Sequence, residues 1–188
     1  MKLAIFGGTF DPIHTAHLTV AREALREFGL AKILFVPASR PPHKGGATSA
    51  PYEDRYRMVE LACRGEPRFE ASRLEAGERV SYSISTLEKV QATLEPNDEL
   101  FFLIGADAFA EIRTWRRWRD VIRLTDFIVV TRPGHSYRIP PGARVHTLET
   151  VALPVSSSEL RARLAAGGAP AEIPPDVLAY IRARGLYC

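Results

Sequence analysis

"IFGGTFDPIHTAHLTVA", Ile5 to Ala21, decides how this chain reads. A short apolar run enters a glycine pair. An aromatic, an Asp-Pro and two histidines three residues apart come next, then an amphipathic stretch without Pro or Gly. "KLAIFGG" reads as a buried strand entering a turn. "HLTVAREALREF" spaces Leu18, Ala21, Leu25 and Phe28 as one face of a helix, and Gly29 is a natural stop. Paired glycines at the end of a strand let a bulky anion approach backbone N–H groups. The following helix turns its unpaired N–H groups and positive dipole end to the same place. His14 and His17 lie one turn apart, so they face one way and can donate to phosphate oxygens without a permanent charge. Asp11-Pro12 bends the chain between glycines and histidines.

Working outward, strands alternate with helices. "KILFVPA" (32–38) is a continuous apolar strand of the kind buried on both faces of a parallel sheet. A loop of prolines, glycines and small polar residues runs from Ser39 to Tyr52, and its length suggests a functional or mobile segment. A helix over 53–65, a short strand over 68–75 and a helix over 81–95 follow, with Ser81 or Ser83 as the N-cap of the last. "ELFFLIGAD" (99–107) is a strong strand, 108–124 is helical or broken-helical, and "DFIVVTRPG" (126–134) is another strand. "ARVHTLE" (143–149) reads as an edge strand, and two helices close the chain at 156–168 and 174–185. This alternation predicts an α/β fold: a Rossmann-like, doubly wound parallel sheet of five to six strands with helices on both faces. With 188 residues and no composition break, one domain over 1–188 is expected, with a helical C-terminal part from about 155 to 188.

Composition narrows the classes. No apolar run approaches the roughly 20 residues of a membrane span, and no signal peptide precedes the first turn, so no membrane partner is expected. Two cysteines, Cys63 and Cys188, make a disulfide framework improbable and suit a reducing cytoplasm. The net charge of +3 suits an anionic partner, small or polymeric. A nucleic-acid-binding module is an alternative, resting on the basic-aromatic run "RTWRRWRDVIR", but no nucleic-acid-binding motif accompanies it. A homo-oligomer remains open.

The first turn is neither GxGxxG nor GxxxxGK[ST]. His14 and His17 could also be a metal pair, but no third ligand stands nearby in sequence, and no metal site is expected. "VSSSELRARL", Val155 to Leu164, offers a second anion-binding device. Its consecutive serines at a helix start cap N–H groups and present hydroxyls, and Arg161 adds a fork-shaped cation.

These residues resemble a known family. "GGTFDPIHTAH" is similar to the GxFxPxHxGH signature of the nucleotidyltransferase superfamily, with Ala16 where Gly is usual. "VSSSELR" is similar to its ISSTxIR motif, with Ser158 where Thr is usual. "FLIGADAFAEIRTWRRW" resembles the GxD…W segment of bacterial nicotinate-mononucleotide adenylyltransferases. "PASRPPHK", "VSYSISTL" and "IPPDVLAYIRARGLY" resemble their PPHK loop, SYT-type helix start and C-terminal ending.

The resemblance implies adenylyl transfer from ATP to nicotinate mononucleotide, giving nicotinate adenine dinucleotide and pyrophosphate, with Mg²⁺ carried on the ATP phosphates. Nicotinamide mononucleotide or phosphopantetheine is the alternative acceptor. The same resemblance implies that Gly7, Gly8, Thr9, Phe10, His14, His17, Gly105, Asp107, Ser156, Ser157 and Arg161 hold ATP. Ser39, His43, Lys44, Tyr82, Ser83, Trp115 and Arg116 would hold the mononucleotide. His14, His17, Lys44 and Arg161 would be the catalytic donors. Trp115 would stack on the pyridine ring, and backbone N–H groups near Ser83 and Arg116 would hold its carboxylate. Asp107 would meet ribose hydroxyls or support the nucleotide loop. Ser83 and Arg116 depart from the usual Thr and aromatic.

Overall fold

The computed structural model describes residues 1–41, 48–151 and 155–188. Its six strands are β1 (Lys2–Gly8), β2 (Lys32–Pro37), β3 (Phe69–Ala71), β4 (Glu99–Gly105), β5 (Asp126–Thr131) and β6 (Val145–Glu149). They form one sheet in the order β3-β2-β1-β4-β5-β6, and every neighbouring pair is parallel. The expected Rossmann-like fold is present with the full six strands. Topology reverses between β1 and β4, so the carboxyl ends of those two strands flank the crevice where ligands of such sheets bind.

The helices are α1 (Thr15–Phe28), α2 (Tyr52–Cys63), α3 (Ser83–Gln91), α4 (Ala106–Ala110), α5 (Trp118–Leu124), α6 (Ser157–Ala165) and α7 (Pro175–Arg184). Alternate strand residues feed two cores. Ala4, Phe101, Leu103 and Ile128 pack with Leu18, Met58, Leu160 and Val177 on one face. Leu3, Ile5, Phe102 and Phe127 pack with Leu87, Phe109 and Val121 on the other. The period of two along each strand explains this division. Among the described residues, no helix is long and apolar enough to cross a membrane.

Two local expectations need correction, and one open choice is decided. The strand expected over 68–75 is only three residues long, because the chain turns back after Ala71, with Ala76 N–H donating to the Arg73 carbonyl. Tyr82, rather than Ser81 or Ser83, is the N-cap of α3. Ser81 instead pairs with the loop after β2, its hydroxyl accepting from Arg40 N–H at 3.1 Å. Of the two forms expected for 108–124, the broken one is present: a 3-10 turn at Ile112–Thr114 separates α4 from α5, which opens at Arg117 in the left-handed region (φ 51°).

Candidate active site

The turn after β1 is built around backbone. A Cβ on Gly8 would lie 3.0 to 3.2 Å from three carbons of the Phe10 ring. Glycine there lets that ring pack down against Phe6, Phe35 and His17. Phe10 itself is 2% exposed and sits at φ 50°, so its backbone, not its ring, is what a nucleotide could meet.

His14 is the N-cap residue of α1, and His17 lies one turn on. Their rings stack, with centroids 3.7 Å apart. His14 N–H donates to His17 Nδ1 at 3.2 Å, so the proton of neutral His17 sits on Nε2, the donor it can offer a ligand. Burial pushes His14 from its ordinary 6.5 down to about 4, against a smaller upward pull from Glu172. Burial also holds His17 well below 6.5, and His14 pushes it the same way. Both rings are therefore neutral at pH 7, as expected of donors that carry no permanent charge.

The two sequence motifs meet in space. Ser157 Oγ donates to the Pro12 carbonyl at 3.0 Å, and Arg161 Nη1 donates to the Asp11 carbonyl at 2.8 Å. Ser156 caps α6, accepting from Glu159 N–H at 3.2 Å. The Ser156 and Ser157 hydroxyls thus already have partners within the fold. What α6 still offers an anion is its first N–H groups and the remaining donors of Arg161.

Two residues that the sequence reading missed brace this turn. Asp11, 3% exposed, accepts from Ser49 N–H (2.7 Å), Ala50 N–H (3.1 Å) and the Tyr187 hydroxyl (2.6 Å). Arg55, 0% exposed, donates to the carbonyls of Thr9 (2.8 Å), Ala38 (2.7 Å), Ala50 (3.1 Å) and Ser39 (3.3 Å). It ties the ends of β1 and β2 to the start of α2. A signal existed in the sequence: Arg55 shares helical spacing with Met58, Val59 and Ala62, so a guanidinium falls on the buried stripe of α2.

Two cavities flank the carboxyl end of β4. The first, about 350 Å³, is lined by Gly7, Gly8 and Thr9 together with Tyr82, Ser83, Trp115 and Arg116. Trp115 makes an edge contact with Phe102, and the Arg116 guanidinium lies 4.9 Å over the Tyr82 ring. The second, about 510 Å³, is lined by Ala16, Gly105, Asp107, Arg132 and His135, among others. The candidate ATP contacts are thus divided between the cavities: Gly7, Gly8 and Thr9 face the first, Gly105 and Asp107 the second. Ser39 opens instead on a separate cleft with Arg40 and Arg79. His43 and Lys44 lie outside the described residues. Among the described residues, no group of three or more His, Cys, Asp or Glu is placed to hold a metal.

A parallel sheet of this strand order, with a glycine–histidine turn at its switch point and a serine-rich helix start and its arginine docked on it, is the arrangement of a nucleotidyltransferase. Comparison agrees: residues 5–163 match the cytidylyltransferase-like family. A relative from Solibacter usitatus named as a probable nicotinate-nucleotide adenylyltransferase is 63% identical, over all of both chains. A relative of the same name from Pelobacter propionicus is 40% identical and covers 100% of this chain and 98% of its own. The chain belongs to the nicotinate-nucleotide adenylyltransferase family. Among solved structures, the Plasmodium falciparum nicotinic acid mononucleotide adenylyltransferase complexed with NaAD superposes with a TM-score of 0.80. That match covers 99% of this chain and 97% of the other; at 22% identity it is a likeness of fold.

Proposed function

We propose that the chain transfers the adenylyl group of ATP to nicotinate mononucleotide, releasing pyrophosphate and giving nicotinate adenine dinucleotide. The observation that carries this reading is the pair of cavities on either side of the β4 end, with the phosphate turn beside them. One takes a flat ring against Trp115; the other takes the adenosine moiety beside Asp107. The family of the relatives supports the same acceptor.

The acceptor phosphate is already an anion, so it needs no general base. Its oxygen forms a bond to the α-phosphorus of ATP, and the bond from that phosphorus to the bridging oxygen of pyrophosphate breaks. What remains is to hold two polyanions in line, and such positioning contributes roughly 7–11 kcal/mol. In this reading Gly8 and Thr9 N–H, His14, His17 and Arg161 would be the donors that do so, with Lys44 as a further candidate. Among the described residues, no free carboxylate cage stands at this turn, since Asp11 accepts from Ser49, Ala50 and Tyr187. That donor set fits Mg²⁺ carried on the triphosphate, where it would neutralise charge on the departing pyrophosphate.

Pyrophosphate release with ATP and Mg²⁺ tests the reading. Nicotinate mononucleotide is expected to be strongly preferred over nicotinamide mononucleotide and phosphopantetheine; preference for either of the others would overturn the acceptor. Trp115→Ala is expected to raise KM for the mononucleotide and leave KM for ATP nearly unchanged. Equal effects on both would contradict the stacking role.

A further inference from the structure

Glu75 follows the short strand β3 and lines the 350 Å³ cavity beside Tyr82, Ser83 and Trp115. It is 8% exposed. One carboxylate oxygen accepts from the Thr86 hydroxyl of α3 at 2.7 Å. The other is buried and has no hydrogen-bond partner among the described residues.

Among the described residues, nearby cations are committed elsewhere. Lys89 donates to the Leu74 carbonyl and pairs with Glu78. Arg55 is within electrostatic reach of Glu75, as is the Tyr52 hydroxyl, but the Arg55 guanidinium is spread over four backbone carbonyls. A buried carboxylate with one oxygen unsatisfied and no ion pair among the described residues is costly to the fold. Such a group in a cavity is a candidate for contact with a ligand.

The rest of the cavity indicates which ligand group belongs there. Ile5, Val36, Phe102 and Ile104 give it apolar walls. At another part of its lining, α3 begins at Ser83 with no side chain capping it, so its first N–H groups and the Arg116 guanidinium favour an anion. The cavity therefore has an anionic pole at Glu75, a cationic pole at α3 and Arg116, and the Trp115 indole. A ring that is cationic at one atom and carries a carboxylate at another matches all three. Indole faces attract quaternary cations. A ribosylated pyridine carboxylate is such a zwitterion: its ring nitrogen is a permanent cation with no proton to lose.

We propose that Glu75 is the counter-charge for the pyridinium ring of the acceptor and sets the cavity's preference for N-substituted pyridinium carboxylates over neutral aromatic acids. The proposal rests on the acceptor assigned above.

Calorimetric titration of the whole chain with N-methylpyridinium-3-carboxylate and with benzoate tests it directly. Both probes carry the carboxylate on a flat ring, and only the first has the ring cation. The wild type is expected to bind the pyridinium about 10-fold or more tightly than benzoate, the size of one charge-assisted contact. Glu75→Gln keeps the shape and the Thr86 contact; it should erase that preference. The variant should also raise KM for nicotinate mononucleotide about 10- to 100-fold, with the effect on KM rather than on kcat.

Equal binding of the two probes to the wild type overturns the proposal without any variant. So does a Glu75→Gln chain that binds the mononucleotide poorly yet keeps the probe preference, since Glu75 would then serve the ribose or the loop. Failure of the acceptor reading looks different: no pyrophosphate would be released with nicotinate mononucleotide, while the probe preference would still report on Glu75.

Discussion

The turns after β1 and β4 end side by side at the switch point, yet they are held in opposite ways. After β1, three backbone carbonyls and a buried carboxylate have long-range partners. The Thr9, Asp11 and Pro12 carbonyls accept from Arg55, Arg161 and Ser157, and the Asp11 carboxylate gathers Ser49, Ala50 and Tyr187. After β4, Gly105 is exposed, a Cβ there would meet nothing within 4 Å, and α4 is one short helix. In the proposed function the β1 turn presents N–H groups to a reacting phosphate, and such a turn has to hold its geometry to fractions of an ångström. A turn that borders a nucleoside cavity needs shape and room. The contrast separates a braced centre for chemistry from a looser border for recognition.

If that contrast is right, the braces should matter most. Arg55→Met should cost about 3–5 kcal/mol, because it leaves several buried carbonyls unsatisfied at once. Denaturant unfolding would measure the loss, and activity should fall with it at temperatures where the variant is still folded. A loss under about 1 kcal/mol would mean that water replaces the guanidinium and the turn is not braced from α2.

His17→Ala should lower kcat about 10²- to 10³-fold, the usual cost of one preorganised donor to a developing charge. If KM for ATP rises while kcat holds, His17 serves only ground-state binding. The tautomer sharpens this test. Nδ1 is occupied by the His14 N–H, so the ligand-facing donor is Nε2, and His17→Gln, which carries a donor near that position, should recover part of the loss.

The same histidines make folding pH-sensitive. An unfolded His14 takes up a proton as pH falls through about 6.5, whereas the folded one resists until about 4. Between those values the unfolded chain binds more protons, so stability falls as pH drops. From pH 7 to 4.5 the loss should be about 2–3 kcal/mol from His14 alone, with His17 adding in the same direction. The carboxylates held low by partners, such as Asp54 and Glu172, lose their contribution from the acid end of this window downward. Chemical unfolding at the two pH values would check it; a His14→Gln chain should show a shallower slope.

The sheet was legible because buried parallel strands are continuous apolar runs, and "KILFVPA" and "ELFFLIG" cannot easily be anything else. The geometry of the turn after β1 was legible because its glycines and stacked histidines lie close together in sequence. The brace was not. Asp11 meets Tyr187 across the whole chain, and Arg55 meets carbonyls, which have no side-chain signature. The α3 N-cap was misread because a serine beside a helix start usually caps it, and here tertiary pairing with Arg40 claims Ser81. Glu75 lay in a segment expected to be strand, where its turn inward toward Thr86 left no periodic trace.

The smallest expected effect belongs to a pair of glycines and sets the two turns directly against each other. Gly8→Ala brings a methyl to about 3 Å from the Phe10 ring, which is already confined by Phe6, Phe35 and His17. Overpacking of this kind costs about 1–3 kcal/mol, and displacement of Phe10 would carry the His17 ring with it, so kcat should fall as well. Gly105→Ala, with open space around it, should change stability by less than about 0.5 kcal/mol. Any effect there should appear in KM for ATP, because Gly105 borders the second cavity. Parallel unfolding curves and initial-rate kinetics on the two variants decide the matter. If Gly105→Ala lowers kcat as much as Gly8→Ala does, the β4 turn takes part in the chemistry, and the division between a braced centre and a looser border fails.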